Sequence, residues 1–392
     1  MLLFLVPVAL ATVVGLFVLW PSGAPTRAQQ AADVQMPPGT TYPDGRVVSV
    51  ERYDCSVDKA AQPLTCASVV VEVLGGEGKG DFQKIDLPAE VVAAGVAKGD
   101  TFVLARDGGA EGGPTYAFSD YARGTPIVVL AIAFALVVGL VARWRGIASL
   151  IGLGFAFFML VRFILPGLLA DESPTLVSLV GTSAIMFVVL YLAHGFSART
   201  TTALVGTLFG LTLVGVLGSV AVAAARLTGL TSEETVNLQT LDPTLNFSGL
   251  VLAGVVVAGL GILNDVTITQ ASAIWQLKEV SPEITWRELY RRGMAVGRDH
   301  IASTVYTIVF AYAGAALPLL LIFDLYTRPV TVSLFSSAVS EEVIRILVGA
   351  IALVLAVPLT TAVGAFFAIA AGGEVGAATE RRMSALRARF AR

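Results

Sequence analysis

Stretches of about twenty mostly apolar residues recur along this chain, and each could carry a helix across roughly 30 Å of hydrocarbon. Open strands cannot make that crossing, because their backbone donors and acceptors would go unpaired in lipid. Eight such stretches can be read, at residues 2–20, 126–142, 147–169, 176–193, 202–225, 247–277, 301–323 and 343–371. Charged residues make up only 14% of the chain, against roughly a quarter in a soluble protein. The polar residues concentrate between 27 and 123. The expected fold class is therefore a mostly α membrane protein of about eight transmembrane helices, with one small domain held outside the bilayer. Net charge is −3 and there are two histidines. No basic surface points to nucleic acid, and no His-rich metal site can be built.

The expected organisation follows the spans. Residues 1–20 form an N-terminal anchor, 21–43 a linker, 44–125 an exported β domain, 126–371 a seven-helix membrane domain and 372–392 a basic cytoplasmic tail. No basic segment precedes the first span, so Ala24 or Ala28 could close a cleavable signal peptide; an uncleaved anchor is the expectation. Lys and Arg in alternate connections set orientation. One side carries Arg143, Arg145, Arg199, Lys278, Arg287, Arg291, Arg292 and Arg298, and then Arg381, Arg382, Arg387, Arg389 and Arg392. The other carries only Arg226 and Arg328, among Asp171, Glu172, Glu233, Glu234, Glu341 and Glu342. Both termini are expected in the cytoplasm and residues 21–125 outside.

Within the exported segment, short alternating or β-branched runs at 45–52, 68–74, 82–87, 101–105 and 115–118 predict five strands. Glycine-rich loops are expected at 75–80 and 108–113. Five strands in about eighty residues fit a small barrel of OB or SH3-like type. Cys55 and Cys66, the only cysteines, lie here and are expected to form one structural disulfide.

Ionisable residues inside a membrane are costly and mark a functional path or a paired contact. The candidates are Asp265 in the sixth span, Arg162 in the third, and Arg298, Asp299 and His300 at the cytoplasmic start of the seventh. Helical spacing places Gly254, Ala258, Gly261, Asp265, Thr269, Ser272 and Gln276 on one stripe. Its outer half is small and its inner half polar. The sixth span is longer than a bilayer needs, so it is expected to tilt, protrude or break near Asn264–Asp265. Asp299, Ser303, Tyr306, Phe310 and Gly314 share a face of the seventh span. The sixth, seventh and eighth spans are expected to pack together and bury this polar seam. Between the sixth and seventh, Ser281 and Pro282 predict the start of a short interfacial helix bearing Trp286 and Tyr290.

Four segments carry a resemblance. The run Gly259-Leu-Gly-Ile-Leu-Asn-Asp265-Val-Thr-Ile-Thr-Gln-Ala-Ser-Ala-Ile resembles the Asp-centred segment of the YibE/F-like family of bacterial membrane proteins. The segment Gly293-Met-Ala-Val-Gly-Arg298-Asp299 is similar to its Gly-x-x-x-Gly-Arg-Asp motif, and Ala311-Tyr-Ala-Gly-Ala-Ala-Leu-Pro318-Leu to the motif that follows. Phe196-Ser-Ala-Arg199-Thr fits as well. The resemblance covers about 120–375. Asn264 stands where the family has an apolar or small residue, and His300 where an aliphatic one is expected. The resemblance implies a polytopic bacterial inner-membrane protein with a transport role and no defined substrate.

The leading expectation is an ion- or proton-coupled transporter or permease for an unidentified small solute or ion. Asp265, Asn264, Thr267, Thr269 and Gln270 would bind the ion or substrate, and Arg298, Asp299 and Arg162 would act as gate or structural charges. The alternative is a non-transporting scaffold or assembly factor whose exported domain binds an envelope protein, with Asp265 paired to Arg162 or Arg298. Oligomeric state is not set by the sequence. No Gly-x4-Gly-Lys-Ser/Thr loop is present, and no metal or other cofactor is called for. An intramembrane aspartyl hydrolase would need Asp265 and Asp299 to share a proton at one depth. The chain is not expected to be an enzyme.

Overall fold

The computed structural model describes residues 2–35, 39–56, 63–108, 114–325 and 329–390. In chain order these form helices α1 (Leu2–Val18) and α2 (Arg27–Gln35), strands β1 (Asp44–Asp54), β2 (Thr65–Val73) and β3 (Phe82–Leu87), helix α3 (Ala89–Ala93), and strands β4 (Thr101–Asp107) and β5 (Thr115–Tyr121). Helices follow: α4 (Gly124–Met159), a π-helical turn (Leu160–Ile164), α5 (Leu165–Leu169), α6 (Pro174–His194), α7 (Ala198–Ala224) and α8 (Glu233–Leu241). The last are α9 (Phe247–Val280), α10 (Trp286–Ala315), α11 (Leu317–Leu325), α12 (Val330–Leu334) and α13 (Ser337–Phe390). The chain divides into two compact units, Arg27–Val138 and, together, Met1–Thr26 with Gly139–Arg392.

In the first unit all five expected strands form one antiparallel sheet of order β3-β2-β1-β4-β5. Its outer strands β3 and β5 approach each other, so the sheet nearly closes into a barrel. Alternation along the strands turns Val47, Val69, Val71, Val73, Ile85, Leu87 and Leu104 inward. Phe102 is fully buried and meets Phe118 and Tyr121 edge-on, at 5.0 and 5.2 Å between ring centroids. Burying one such ring contributes about 2–3 kcal/mol. α3 caps this core with Val92. The Tyr121 hydroxyl donates to Val91 O at 2.9 Å, and burial pushes its phenol pKa up.

The 75–80 loop forms as expected. Gly78 and Gly80 there hold φ of 86° and 92°, a region that only glycine enters freely. Cys55 and Cys66 are joined across the β1–β2 connection with their Cα atoms 5.7 Å apart. On the chain-entropy estimate such a link contributes about 3 kcal/mol. Residues 27–35, expected as linker, are helical. Of the expected 108–113 loop, 109–113 lie outside the described residues, as do Arg328 and Arg392.

In the helices, five described stretches are long and apolar enough to cross a membrane: Gly124–Leu169, Pro174–His194, Ala198–Ala224, Phe247–Val280 and Ser337–Ala370. The first holds two of the expected spans, because Arg143 leaves the helical region at φ 56°, ψ −135°. α1 is a shorter apolar helix. The expected seventh span is divided, since α10 stops at Ala315 and α11 resumes at Leu317, beside Pro318. The π-helical turn has a plain cause. Pro166 has no N–H for the carbonyl of Arg162 four residues earlier, and Leu165 N instead bonds to Leu160 O, five residues back.

Glycines set the helix packing of the second unit. On α7, a side chain at Gly210 would meet Leu263 of α9, and one at Gly218 would meet Leu252. The close approach they permit builds the core of α6, α7, α9 and α13 around Leu190, Leu204, Leu211, Val256, Leu263 and Ala352. The loop before α10 differs from expectation. Thr285, not Ser281, caps the helix by accepting from Glu288 N. Residues 281–284 make a turn instead, Ile284 N donating to Ser281 O at 3.1 Å. The interfacial segment is thus the first part of α10 itself, with Trp286 stacked on Tyr290.

Candidate functional site

The site is organised by α9. Asn246 caps its start by accepting from Gly249 N, and the helix then runs unbroken for 34 residues. That is ~51 Å, well beyond the ~30 Å of hydrocarbon. Of the outcomes expected for so long a span, a break at Asn264–Asp265 does not occur. A helix turns 100° per residue, so Asp265 and Thr267 point to different sides.

One side is buried. Thr267 and Gln270 lie there with Leu263, Val266, Ala271 and Ile274. Gln270 Nε2 donates to Gly293 O of α10 at 2.8 Å and to Thr361 Oγ1 of α13 at 2.7 Å. Thr361 Oγ1 in turn donates to Val357 O at 2.7 Å. Thr267 Oγ1 lies 2.6 Å from Thr207 Oγ1 of α7. Gly293 and Gly297 let α10 approach, since a Cβ at either would press on Ile274 or on Val357 and Gln270. The sixth, seventh and eighth expected spans do pack around a polar seam, with α7 as a fourth wall. Its members are Gln270, Thr361, Thr267 and Thr207.

The other side is open. The stripe expected inside the seam faces outward: Gly261, Asp265, Thr269 and Gln276 are exposed, while Gly254, Ala258 and Ser272 are half-buried. The reason is size, because Leu263, Val266 and Ile274 fill the space against α7, α10 and α13 better than the small residues of the stripe. The Asp265 side chain is 72% exposed, and its Oδ2 lies 4.0 Å from His300 Nε2 of α10. That distance suits an ion pair but is too long for a hydrogen bond. Asn264 Oδ1 and His300 Nε2 are themselves buried without a hydrogen-bond partner. Asp299, Ser303, Tyr306, Phe310 and Gly314 are exposed along α10, on the face expected from their spacing, and Arg298 is exposed to one side of it.

The expected binding residues therefore divide. Asp265 and Thr269 stand on the open side, Thr267 and Gln270 on the buried side, and Asn264 between them. Among the described residues neither Arg162 nor Arg298 forms an ion pair with Asp265. Arg162 projects from the π-helical turn and is exposed.

A second polar cluster joins residues that the sequence candidates leave out. Glu341 is only 7% exposed, accepts from Thr231 Oγ1 at 2.9 Å and keeps Oε1 unpartnered. One turn on, Arg345 pairs with Glu342 at 3.1 Å, and its guanidinium lies over Gly254 of α9. Glu341 and Glu342 count as loop charges when only hydropathy is used. Because α13 starts at Ser337, they and Arg345 fall on one helix, and the spacing Glu-Glu-x-x-Arg is the signal that could have found them. Apart from both clusters, a cavity of about 510 Å³ opens where α6 and α9 begin and α7 ends, lined in part by Ser173, Arg226, Asn246 and Ser248. Among the described residues no group of three or more His, Cys, Asp or Glu is placed to hold a metal ion.

Residues 130–370 match the family described as YibE/F-like protein. This span takes in α6 to α10, the apolar length of α13, and every residue of the two faces of α9. The chain belongs to the YibE/F-like family. The comparison with curated proteins gives no match, and neither does the comparison with solved structures. Family membership and the apolar helices together make the chain a membrane protein. Both Asp265 and the Gly293–Asp299 segment lie inside the YibE/F-like match. The sheet unit, apart from residues 130–138 of α4, precedes it.

Proposed function

We propose that this YibE/F-like chain is a permease of the bacterial inner membrane, moving a small solute or ion with Asp265 as the group that carries the coupling ion or proton. The observation that carries the reading is a carboxylate midway along an unbroken apolar helix, left exposed with, among the described residues, only a histidine within ion-pair distance. A purely architectural acid would be expected in the place Gln270 occupies, with every bond made. Thr269 stands one turn from Asp265 on the same exposed face, so its hydroxyl can offer an oxygen to an ion held there. Arg298 and Asp299 lie nearer the start of α10 and would act as a gate. The asymmetry of Lys and Arg supports an orientation with the sheet unit outside and the tail in the cytoplasm. The reading needs no cofactor and no enzymatic step.

One observation favours a scaffold role instead. The sheet unit, whose strand order and helix between β3 and β4 suit an OB-type barrel, has a cavity of about 590 Å³ lined by Tyr42, Gly75, Glu77 and Arg106 among others. An envelope partner could be held there. Proteoliposomes under an imposed ion gradient separate the two readings. The permease reading expects flux with the native chain and none with Asp265→Asn at equal incorporation. If the native chain carries no proton or alkali-cation flux, and Asp265→Asn loses membrane abundance as severely as Asp265→Leu, the scaffold reading replaces it.

A further inference from the structure

Asp265 and His300 face each other without a hydrogen bond. The carboxylate Oδ2 lies 4.0 Å from His300 Nε2, an atom that is buried and has no hydrogen-bond partner among the described residues. An ionised carboxylate can only accept, and a neutral imidazole carries one nitrogen that only accepts. A single proton taken from water changes this. It supplies a donor, and it leaves the pair with no net charge, as imidazolium beside carboxylate or as imidazole beside carboxylic acid. A charge along an apolar helix is costly, so loading the proton removes a penalty. A small rotation of the exposed Asp265 side chain then closes the gap to the ~2.8 Å of a charge-assisted bond.

We propose that the ion carried at Asp265 is a proton and that His300 shares it. The inference rests on the permease reading and narrows it. The ligand atoms select the proton. A hard metal cation gathers about six oxygen ligands, yet the group within ion-pair distance of Asp265 is an imidazole. A transition-metal ion accepts imidazole but is held by about three or more protein ligands. Among the described residues no such group of His, Cys, Asp or Glu is placed to hold one. A proton needs only the two.

The surroundings leave the pair largely to itself. Asp265 is the one charged residue of α9 from Phe247 to Leu277. α13, which packs on α10 at Gly297 and Val357, has none from Ile346 to Ala370, and α11 follows α10 at its far end. On α10 itself Asp299 adjoins His300, and Arg298 is exposed to one side. Thr304 Oγ1 donates to the backbone oxygen of His300 and leaves its ring alone.

NMR of the imidazole nitrogens tests the pairing in detergent. The chain has two histidines, His194 and His300, and His300→Gln assigns their signals. In a pH titration Asp265→Asn should displace the His300 curve and leave the His194 curve in place. Replacing potassium by sodium should move neither. His300 curves that superimpose with and without the Asp265 carboxylate overturn the inference, whatever the chain transports. Proteoliposomes then separate it from the reading it rests on. At equal incorporation, His300→Gln should lower proton flux about tenfold or more. Native proton flux in that variant would overturn the sharing. Sodium or potassium flux without proton movement would overturn the proton and leave the permease reading standing, whereas no flux of any of these ions would bring down both.

Discussion

The two sides of α9 use the same kinds of residue to opposite ends. On the buried side Gln270 reaches two other helices at once, and Thr267 closes on Thr207, each within hydrogen-bond distance. On the open side Asp265 has a histidine 4.0 Å away and makes no hydrogen bond to it. A buried polar group without a partner costs about 1–3 kcal/mol, so the bonds of Gln270 and Thr267 stabilise the bundle, whereas an exposed carboxylate such as Asp265 adds nothing to it. The difference separates the polar residues that hold the bundle together from Asp265 and Thr269, which the permease reading assigns to an ion or solute.

Substitutions that should separate the two sides can be ranked by size. Gly293→Leu drives a side chain into Ile274 and Thr361, where there is no room. It should cost about 3 kcal/mol or more, seen as loss of folded protein in detergent melts. Gln270→Ala removes both interhelical bonds, though Thr361 still donates to Val357 O, and should cost about 1–2 kcal/mol, with the interhelical bond itself toward the lower end of that range. A paired glycine substitution sharpens the contrast further. Gly297→Ala would set its Cβ 2.6 Å from Val357 Cγ1 and should destabilise measurably. Gly261→Ala should be neutral, or stabilising by up to about 1 kcal/mol through helix propensity. Asp265→Asn should shift the melt least, by under about 0.5 kcal/mol, while abolishing ion flux. A large destabilisation by Asp265→Asn would break the comparison, because it would make the open side architectural too.

The five strands were legible because alternation at period two has one reading when a face is buried, and 82–87 coincides with β3. The disulfide followed from two cysteines in a segment expected to be exported. In the membrane the helix positions were legible from length and hydropathy, and so was the grouping of Asp265, Thr269 and Gln276 on one stripe. Which way that stripe points was not. In water a polar stripe faces out by default, but in lipid both directions compete, and the decision falls to the packing of Leu263, Val266 and Ile274. The cap at Thr285 was missed because Ser281-Pro282 offers a competing start signal of the same type. The Arg143 break adjoins the gap between the second and third expected spans. Glu341 and Arg345 stayed hidden because a hydropathy window ends the span between them.

A leucine scan of residues 261–276, read for folded abundance and for ion flux on the same preparations, tests the division most directly. The expected result is two profiles out of phase: abundance falls at Thr267, Gln270 and Ala271, and flux falls at Asp265, Thr269 and Ser272 with abundance kept. Profiles that rise and fall together at the same positions would contradict it, and α9 would then have one structural role on both sides.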